Sequence, residues 1–231
     1  MLRRTAHETV LETLRKAILD GVLESGTPLV QADLSELLGV SKTPIREAIR
    51  DLAAEGLIDF DSYRSSVVHT PTLAEALEIY ELRLTLEPLE IEKSVGKIPQ
   101  ADLDRAAELQ LQMEKVDEVG VWIEMNREFH RLLSAPEVAP RLNSIIVGLR
   151  NASAIQVAWS IKANPALMGR ANKDHAEIID AYRRADVDAA VEFSKHHLRG
   201  TLEAIQEQEA AAAERADQAP TPAARRRGLS G

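Results

Sequence analysis

The sequence contains no cysteine and very few aromatic residues. Without cysteine the chain has no disulfide bond and no metal site built on thiolates, which fits a reducing cytoplasm. Aromatic residues make up 3% of the 231 residues, whereas alanine and leucine are abundant. The composition therefore favours a helical protein over an extended sheet.

Long apolar runs are also missing. No stretch approaches the roughly 20 consecutive apolar residues that a membrane-spanning helix needs. Met1 leads into a charged segment, which is not typical of a secretory signal. We therefore expect a cytoplasmic protein with no membrane partner, and the length fits one or two domains.

The chain has no excess of positive charge. Its formal net charge is −9, and in residues 1–70 eight basic side chains face eleven acidic ones. Such a balance argues against nonspecific attraction to nucleic acid. Any contact with DNA must rest on a local cluster of basic side chains.

Residues 34–58 nevertheless have the pattern of two short helices joined by a tight turn. Gly39 falls at the turn, where a left-handed backbone or close packing favours glycine. The second helix has a predicted cap at Ser41 or Thr43 and a predicted end at Gly56. Its apolar side comprises Ile45, Ala48, Ile49 and Leu52. Its opposite side carries Lys42, Thr43, Arg46 and Arg50. This is the layout of a helix-turn-helix whose second helix enters the major groove.

Residues 41–58, SKTPIREAIRDLAAEGLI, closely resemble the recognition-helix segment of the GntR family of bacterial transcription regulators. The resemblance implies that the four exposed side chains contact double-stranded operator DNA. The alternative is an ordinary amphipathic helix pair. Residues 57–60 and 66–69 have the pattern of two short strands of a wing, with Arg64 near its tip and able to reach a phosphate. The family usually has a glycine at this tip, where Ser65 or Ser66 stands here.

The rest of the chain has only helical patterns. We expect a mainly α protein: a winged helix-turn-helix over residues 1–70, an all-helical antiparallel bundle of six to seven helices over 71–209, and a disordered tail over 210–231. The bundle's first helix, after a capping box at Thr72, is apolar over much of its circumference and should be central, with a kink or an early end at Pro88. Later helices are predicted over 99–118, 120–134, 138–160, 165–184 and 187–209. The run Arg225-Arg226-Arg227 in the tail is interpreted as a solvated end.

Three of these helices each carry one histidine on an inward face. Asn126 and His130 are four residues apart on one helix, His175 lies among apolar residues, and His197 is preferred over His196 because it faces small residues. Imidazole with a carboxamide oxygen suits a divalent transition metal such as zinc or nickel. The alternative is that each is a core histidine satisfied by hydrogen bonds.

The three histidine segments are similar to the FCD effector domain of the FadR-like branch of the GntR family. The matching strings are Asn-x-x-x-His at 126–130, DHAEIIDAY at 174–182 and Ala-x-x-x-x-x-His-His-Leu at 190–198. The resemblance implies that Asn126, His130, His175 and His197 hold the metal. The family more often has an aspartate at position 126. A neutral amide there leaves the site more positive by one charge, which favours an anionic effector.

Arg83 is the remaining candidate. The family tends to carry Arg-x-x-x-Glu on the first helix of this domain, found here as Arg83 and Glu87. The resemblance implies that Arg83 binds an effector carboxylate. The alternative is a plain ion pair on one helix face, worth a few tenths of a kcal/mol.

Together these features predict a homodimeric, ligand-responsive transcriptional repressor. A small carboxylic acid would bind the metal-containing helical domain and change how the protein binds operator DNA. One alternative is a metal-dependent enzyme on a helical bundle, although Glu128 and Glu177 point away from the site and no catalytic base is visible. Another is a metal-free helical interaction module.

Overall fold

A computed structural model describes residues 5–59 and 66–218. Within these ranges the chain forms ten α-helices and three short strands. None of the helices in this part of the chain combines the length and apolarity needed to cross a membrane. The predicted wing tip with Arg64 and the basic run at 225–227 lie outside the described residues.

The N-terminal part is a winged helix-turn-helix. Its elements are α1 (Ala6–Leu19), β1 (Pro28–Leu29), α2 (Gln31–Leu38), α3 (Lys42–Ala54), β2 (Ile58–Asp59) and β3 (Ser66–Val68). The strands form an antiparallel sheet in the order β1–β3–β2, with Leu29 opposite Ser66 and Ile58 opposite Val68. The strand β1 was not predicted, because residues 26–28 have the composition of a turn.

Local sequence signals explain this part well. Thr5 and Glu8 form the predicted capping box at the start of α1. Gly39 has a φ of 67° after α2, a conformation that costs glycine little. Ser41 stands at the cap position of α3, although its side chain makes no capping hydrogen bond.

The second part is all-helical and contains the seven helices at the upper limit of the prediction. They are α4 (Leu73–Ser94), α5 (Gln100–Met113), α6 (Val119–Leu132), α7 (Pro140–Ala152), α8 (Ala154–Ala163), α9 (Ala166–Arg183) and α10 (Val187–Gln218). The strands end at Val68 and α4 begins at Leu73. The domain boundary proposed at Pro71 lies between them.

Three helix boundaries differ from the prediction. The segment 138–160 forms two helices that meet at Ser153, whose hydroxyl donates to the carbonyl of Arg150 (3.0 Å). Helix α4 continues past Pro88 to Ser94. Helix α10 runs to Gln218, nine residues beyond its predicted end, so the tail expected to be disordered from residue 210 begins as helix. Residues 210–213 are all alanine, which has the highest helix propensity and needs no apolar stripe.

The burial of α4 also differs from the prediction. Its buried face includes Arg83, Glu87 and Glu90 beside apolar residues. Three of its leucines, Leu77, Leu82 and Leu89, are instead 40–44% exposed. The helix is therefore not buried all round, and its apolar residues occupy two different environments.

The two parts pack against each other through α1 and α6. A continuous cluster of buried apolar side chains runs from α1 and α3 into α6, α8 and α9. At its edge, Asp20 at the end of α1 accepts a hydrogen bond from the backbone N–H of Gly120 in the first turn of α6 (2.9 Å). Lys16 pairs with Glu118 just before that turn (2.9 Å). Helix α6 is thus attached directly to the N-terminal part.

Candidate metal centre and DNA interface

Helix α3 has a buried apolar face and an exposed polar face. Its four apolar residues Ile45, Ala48, Ile49 and Leu52 are fully buried. The predicted DNA-contacting residues Lys42, Thr43, Arg46 and Arg50 are all exposed. At about 100° per residue these four lie within a sector of roughly 100° on the helix. The four residues of α3 that are predicted to contact DNA thus form one continuous exposed surface.

The three predicted histidines come together in the bundle. His130 on α6, His175 on α9 and His197 on α10 each offer a ring nitrogen, and these nitrogens lie within 4.8 Å of one another. His175 is fully buried and His197 is 7% exposed. The neighbouring His196 side chain is 62% exposed. The convergence that spacing alone could not establish is therefore a feature of the fold.

Several polar atoms at this centre are buried without a partner. Among the described residues, neither ring nitrogen of His175 has a hydrogen bond, and the same holds for the side-chain oxygen of Asn126. Each buried polar group left in this way costs about 1–3 kcal/mol. The interpretation of His175 as a core histidine satisfied by hydrogen bonds therefore does not describe it. Lone pairs of this kind match the needs of a divalent cation.

The electrostatic environment keeps two of the imidazoles neutral. Burial and the positive charge of Arg150 hold the pKa of His130 well below its usual value. Burial, with His197 nearby, does the same to the pKa of His175. Neutral imidazole is the form that ligates a metal, so neither ring has to lose a proton at neutral pH.

Asp174 orients the third imidazole. One of its carboxylate oxygens lies 3.2 Å from Nδ1 of His197, and its residue is 8% exposed. A carboxylate on one ring nitrogen leaves the other free to ligate a metal, a common arrangement at metal centres. Asp174 is the first residue of the string DHAEIIDAY, and no role was predicted for it. Its position directly before His175 was the one available signal.

Arg83 lies beside this centre in a network of buried charges. Its Nε donates to Glu87 (2.7 Å), and its Nη1 donates to the hydroxyl of Ser153 (3.3 Å). Glu87 also accepts from Arg150 (2.9 Å), which reaches Glu90 as well (3.1 Å). Arg83 forms the ion pair with Glu87 and also lines the cavity described below. Both hypotheses for Arg83, an ion pair on one helix face and a ligand of an effector carboxylate, are therefore still supported.

Burial and the guanidinium groups of Arg150 and Arg83 shift the pKa of Glu87 in opposite directions. Burial alone would raise its pKa, but Arg150 and Arg83 lower the pKa to about 2. Glu87 is therefore ionised at neutral pH and held by two cations. Arg150 was missed by the sequence analysis, although a single charge within the apolar segment 145–161 was a signal for it.

A cavity of about 80 Å³ opens next to the histidines. A single water molecule needs about 10–15 Å³ on the same measure, so a small organic molecule has room there. Its lining includes Asn126, His130, His197 and four arginines: Arg83, Arg127, Arg150 and Arg170. Among the described residues that line it, Asp174 supplies the acidic side chain. The lining therefore holds more cationic than acidic side chains, and each of the four arginines also pairs with a glutamate outside the lining.

Comparison with known proteins agrees with this architecture. Residues 6–68 match the family model of bacterial regulatory proteins of the gntR family, and residues 78–200 match the FCD domain. YdhC, an uncharacterized HTH-type transcriptional regulator of Bacillus subtilis, is 32% identical over 127 residues, which are 52% of this chain and 55% of YdhC. A probable D-xylose utilization operon transcriptional repressor of Paenarthrobacter nicotinovorans is 25% identical over 88% of this chain and 90% of its own. The solved structure of E. coli McbR/YncC has the same fold, with a TM-score of 0.74 at 22% identity over 90% of this chain and 100% of that one.

The chain belongs to the gntR family of bacterial regulatory proteins, and its helical part is an FCD domain. It is a DNA-binding transcriptional regulator, as the sequence predicted. The family and the relatives above are regulators and not enzymes, which also agrees with the prediction.

Proposed function

We propose that the protein is a ligand-responsive repressor that holds a divalent metal ion in its FCD domain and senses a small carboxylic acid there. The metal would be bound by His130, His175 and His197, with Asn126 as a weak fourth ligand. The observation that carries this proposal is the buried, unpartnered His175 imidazole within 4.8 Å of two further imidazole nitrogens. Zinc and nickel suit this donor set best.

The bound metal would supply a Lewis-acidic position that accepts a carboxylate oxygen. Arg83 lines the same cavity and would hold the second oxygen. The carboxylate would then neutralise part of the charge of an arginine-rich cavity. Sugar acids and hydroxy acids fit this description, whereas amines do not.

Metal analysis of protein purified without chelators tests the centre. We expect about one metal per chain in the wild type and a large loss in His175→Ala, because the site loses one of its three imidazole ligands. His196→Ala is the matched control, since its side chain is exposed, and should keep the metal. A His175→Ala protein that keeps the metal content of a metal-loaded wild type would refute the ligand assignment. A wild type that contains no metal would favour the metal-free interaction module.

Asn126 needs a separate test. Asn126→Asp should bind zinc more tightly than the wild type, because an anionic ligand replaces a neutral one. Equal zinc affinity in the two proteins would exclude Asn126 from the ligand set.

The effector site is tested with a panel of small carboxylates and matched neutral sugars. We expect carboxylates alone to change the affinity for operator DNA, and Arg83→Ala to remove that response. A coupling of about 1–3 kcal/mol, or 5–150-fold in affinity, would be ordinary. A response confined to neutral sugars would contradict the proposed effector class.

A homodimer completes the proposal. Dimeric helix-turn-helix proteins bind two half-sites that lie about one helical turn apart on the DNA. The exposed leucines Leu82 and Leu89 lie on one face of α4 and offer an apolar surface that a second copy could cover. Sedimentation should show a dimer whose dissociation increases in Leu82→Ser. A wild-type monomer on operator DNA would exclude the arrangement.

A further inference from the structure

Helix α6 connects the histidine centre to the DNA-binding part. Its first turn is held by Asp20 of α1, and its later turns carry Asn126 and His130. Arg127 lies between those two residues in the sequence and also lines the cavity. Helix α6 thus contributes residues to the centre and also contacts α1.

Arg127 reaches the recognition helix directly. Its Nη2 lies 3.0 Å from Glu124 on its own helix, and its Nη1 lies 3.7 Å from Glu55. Glu55 is the residue at the C-terminal end of α3. A separation of 3.7 Å is an ion pair without a hydrogen bond, and the Arg127 side chain is 38% exposed. The contact of Arg127 with Glu55 is thus longer than its contact with Glu124.

Glu55, in contrast, is fixed to its own part of the molecule. The nearly buried Arg15 of α1 donates to both of its carboxylate oxygens, at 2.9 and 2.5 Å. This bidentate pair remains whether or not Arg127 is near. Glu55 is therefore a stationary anion at the end of α3, and Arg127 is the mobile partner.

We infer that Arg127 transmits the occupancy of the histidine centre to the recognition helix through Glu55. This inference rests on the proposed metal centre. A divalent cation at the histidines repels a guanidinium that shares their cavity. The anions beside Arg127 outside the cavity are Glu124 on its own helix and Glu55 at the end of α3, and of these two Glu55 belongs to the DNA-binding part. Metal would therefore tighten the Arg127–Glu55 contact, and an anion in the cavity would draw Arg127 back. The recognition helix would be held firmly in one state and loosely in the other.

Amide hydrogen exchange with Zn²⁺ as the probe tests this on the full chain. In the wild type, saturating Zn²⁺ should slow exchange in α6 and also in the last turn of α3, by about five-fold or more, the lower end of ordinary coupling between sites. In Arg127→Gln the protection of α6 should persist and that of α3 should be lost. Arg131→Gln is the control, because Arg131 lies on the same helix, is exposed and pairs with Glu128.

The outcomes separate the inference from the proposal beneath it. Equal protection of α3 in Arg127→Gln and the wild type would overturn the role of Arg127. So would protection of α6 in the wild type without any change in α3. If Zn²⁺ leaves α6 itself unchanged, the metal centre is refuted, and the transmission through Arg127 falls with it.

Discussion

Helices α3 and α4 distribute charge in opposite ways. In α3 the apolar residues are fully buried and the arginines Arg46 and Arg50 are exposed. In α4 the buried face holds Arg83 and Glu87, while leucines such as Leu82 are exposed. In the sequence α3 has one apolar face, whereas α4 is apolar over much of its circumference, and this pattern does not show which side of α4 is buried.

The difference follows from what each helix contacts. The exposed cations of α3 are available to an external polyanion, and its apolar face only has to pack. The ions of α4 face a cavity and are held by partners on another helix, so they define an internal site. A buried charge is costly without a partner, and this makes the α4 network the more sensitive of the two regions.

The largest predicted effect is in α4. Glu87→Gln removes the anion shared by Arg83 and Arg150 and leaves two buried cations poorly paired. Breaking a buried pair in this way costs about 3–5 kcal/mol, which denaturant unfolding would measure. The control is Glu128→Gln, which breaks an exposed pair with Arg131 and should cost no more than about 1 kcal/mol. Equal losses in the two variants would remove the contrast between buried and exposed charge.

The same carboxylate gives the wild type a pH dependence. The pKa of Glu87 falls from 4.5 to about 2 on folding, so the folded state favours its ionised form. Its contribution to stability is complete above pH 4.5 and is lost as the pH falls towards 2. Glu87→Gln should show a weaker loss of stability over that range.

An intermediate effect is predicted in α3. Arg46→Ala should lower the affinity for operator DNA by about 1–3 kcal/mol, because a guanidinium paired with a guanine is lost. Binding to random DNA should change much less, and the unfolding midpoint should stay near that of the wild type because the side chain is exposed. A variant that prefers operator over random DNA as strongly as the wild type would show that Arg46 does not read the sequence.

The smallest predicted effect is at His69, which lies between the two regions. Its ring nitrogens face Asp59 of β2 (2.8 Å) and Glu75 of α4 (3.0 Å), and both contacts are satisfied only by the protonated ring. Burial lowers the pKa of His69, but the hydrogen bonds to the two carboxylates outweigh it and raise the pKa above 6.5.

The sign of the pH effect at His69 follows. Since its pKa is raised on folding, its contribution is complete below pH 6.5 and is lost as the pH rises through the folded-state pKa. The free energy of unfolding, measured in urea on both sides of that pH range, should decline slightly as the pH rises in the wild type. It should decline less in His69→Gln. If stability depends on pH equally in His69→Gln and the wild type, the contacts of His69 with Asp59 and Glu75 do not contribute to stability.

Sequence reasoning succeeded where the information is local. Residues 34–58 contain the helical spacing, the turn and the terminating glycine, so the helix-turn-helix was predictable from one continuous segment. The convergence of the histidines required the family resemblance, because spacings of 45 and 22 residues between them along the chain do not indicate their distance in space. The network of buried ion pairs on α4 was only partly predictable from the sequence. Arg83 and Glu87 are four residues apart, whereas Arg150 pairs with Glu87 across 63 residues. No periodicity encodes such a distant partner.

The hydrogen bond from Gly120 to Asp20 has a consequence for engineering chimaeras of this family. Asp20 places a negative charge at the N-terminal end of α6, where a helix favours it, and a side chain at position 120 would collide with that carboxylate. A DNA-binding domain transplanted from a relative must therefore supply a hydrogen-bond acceptor for the backbone N–H of Gly120. In this protein we therefore expect domain exchange to depend on the fit between Asp20 and Gly120 as well as on the linker.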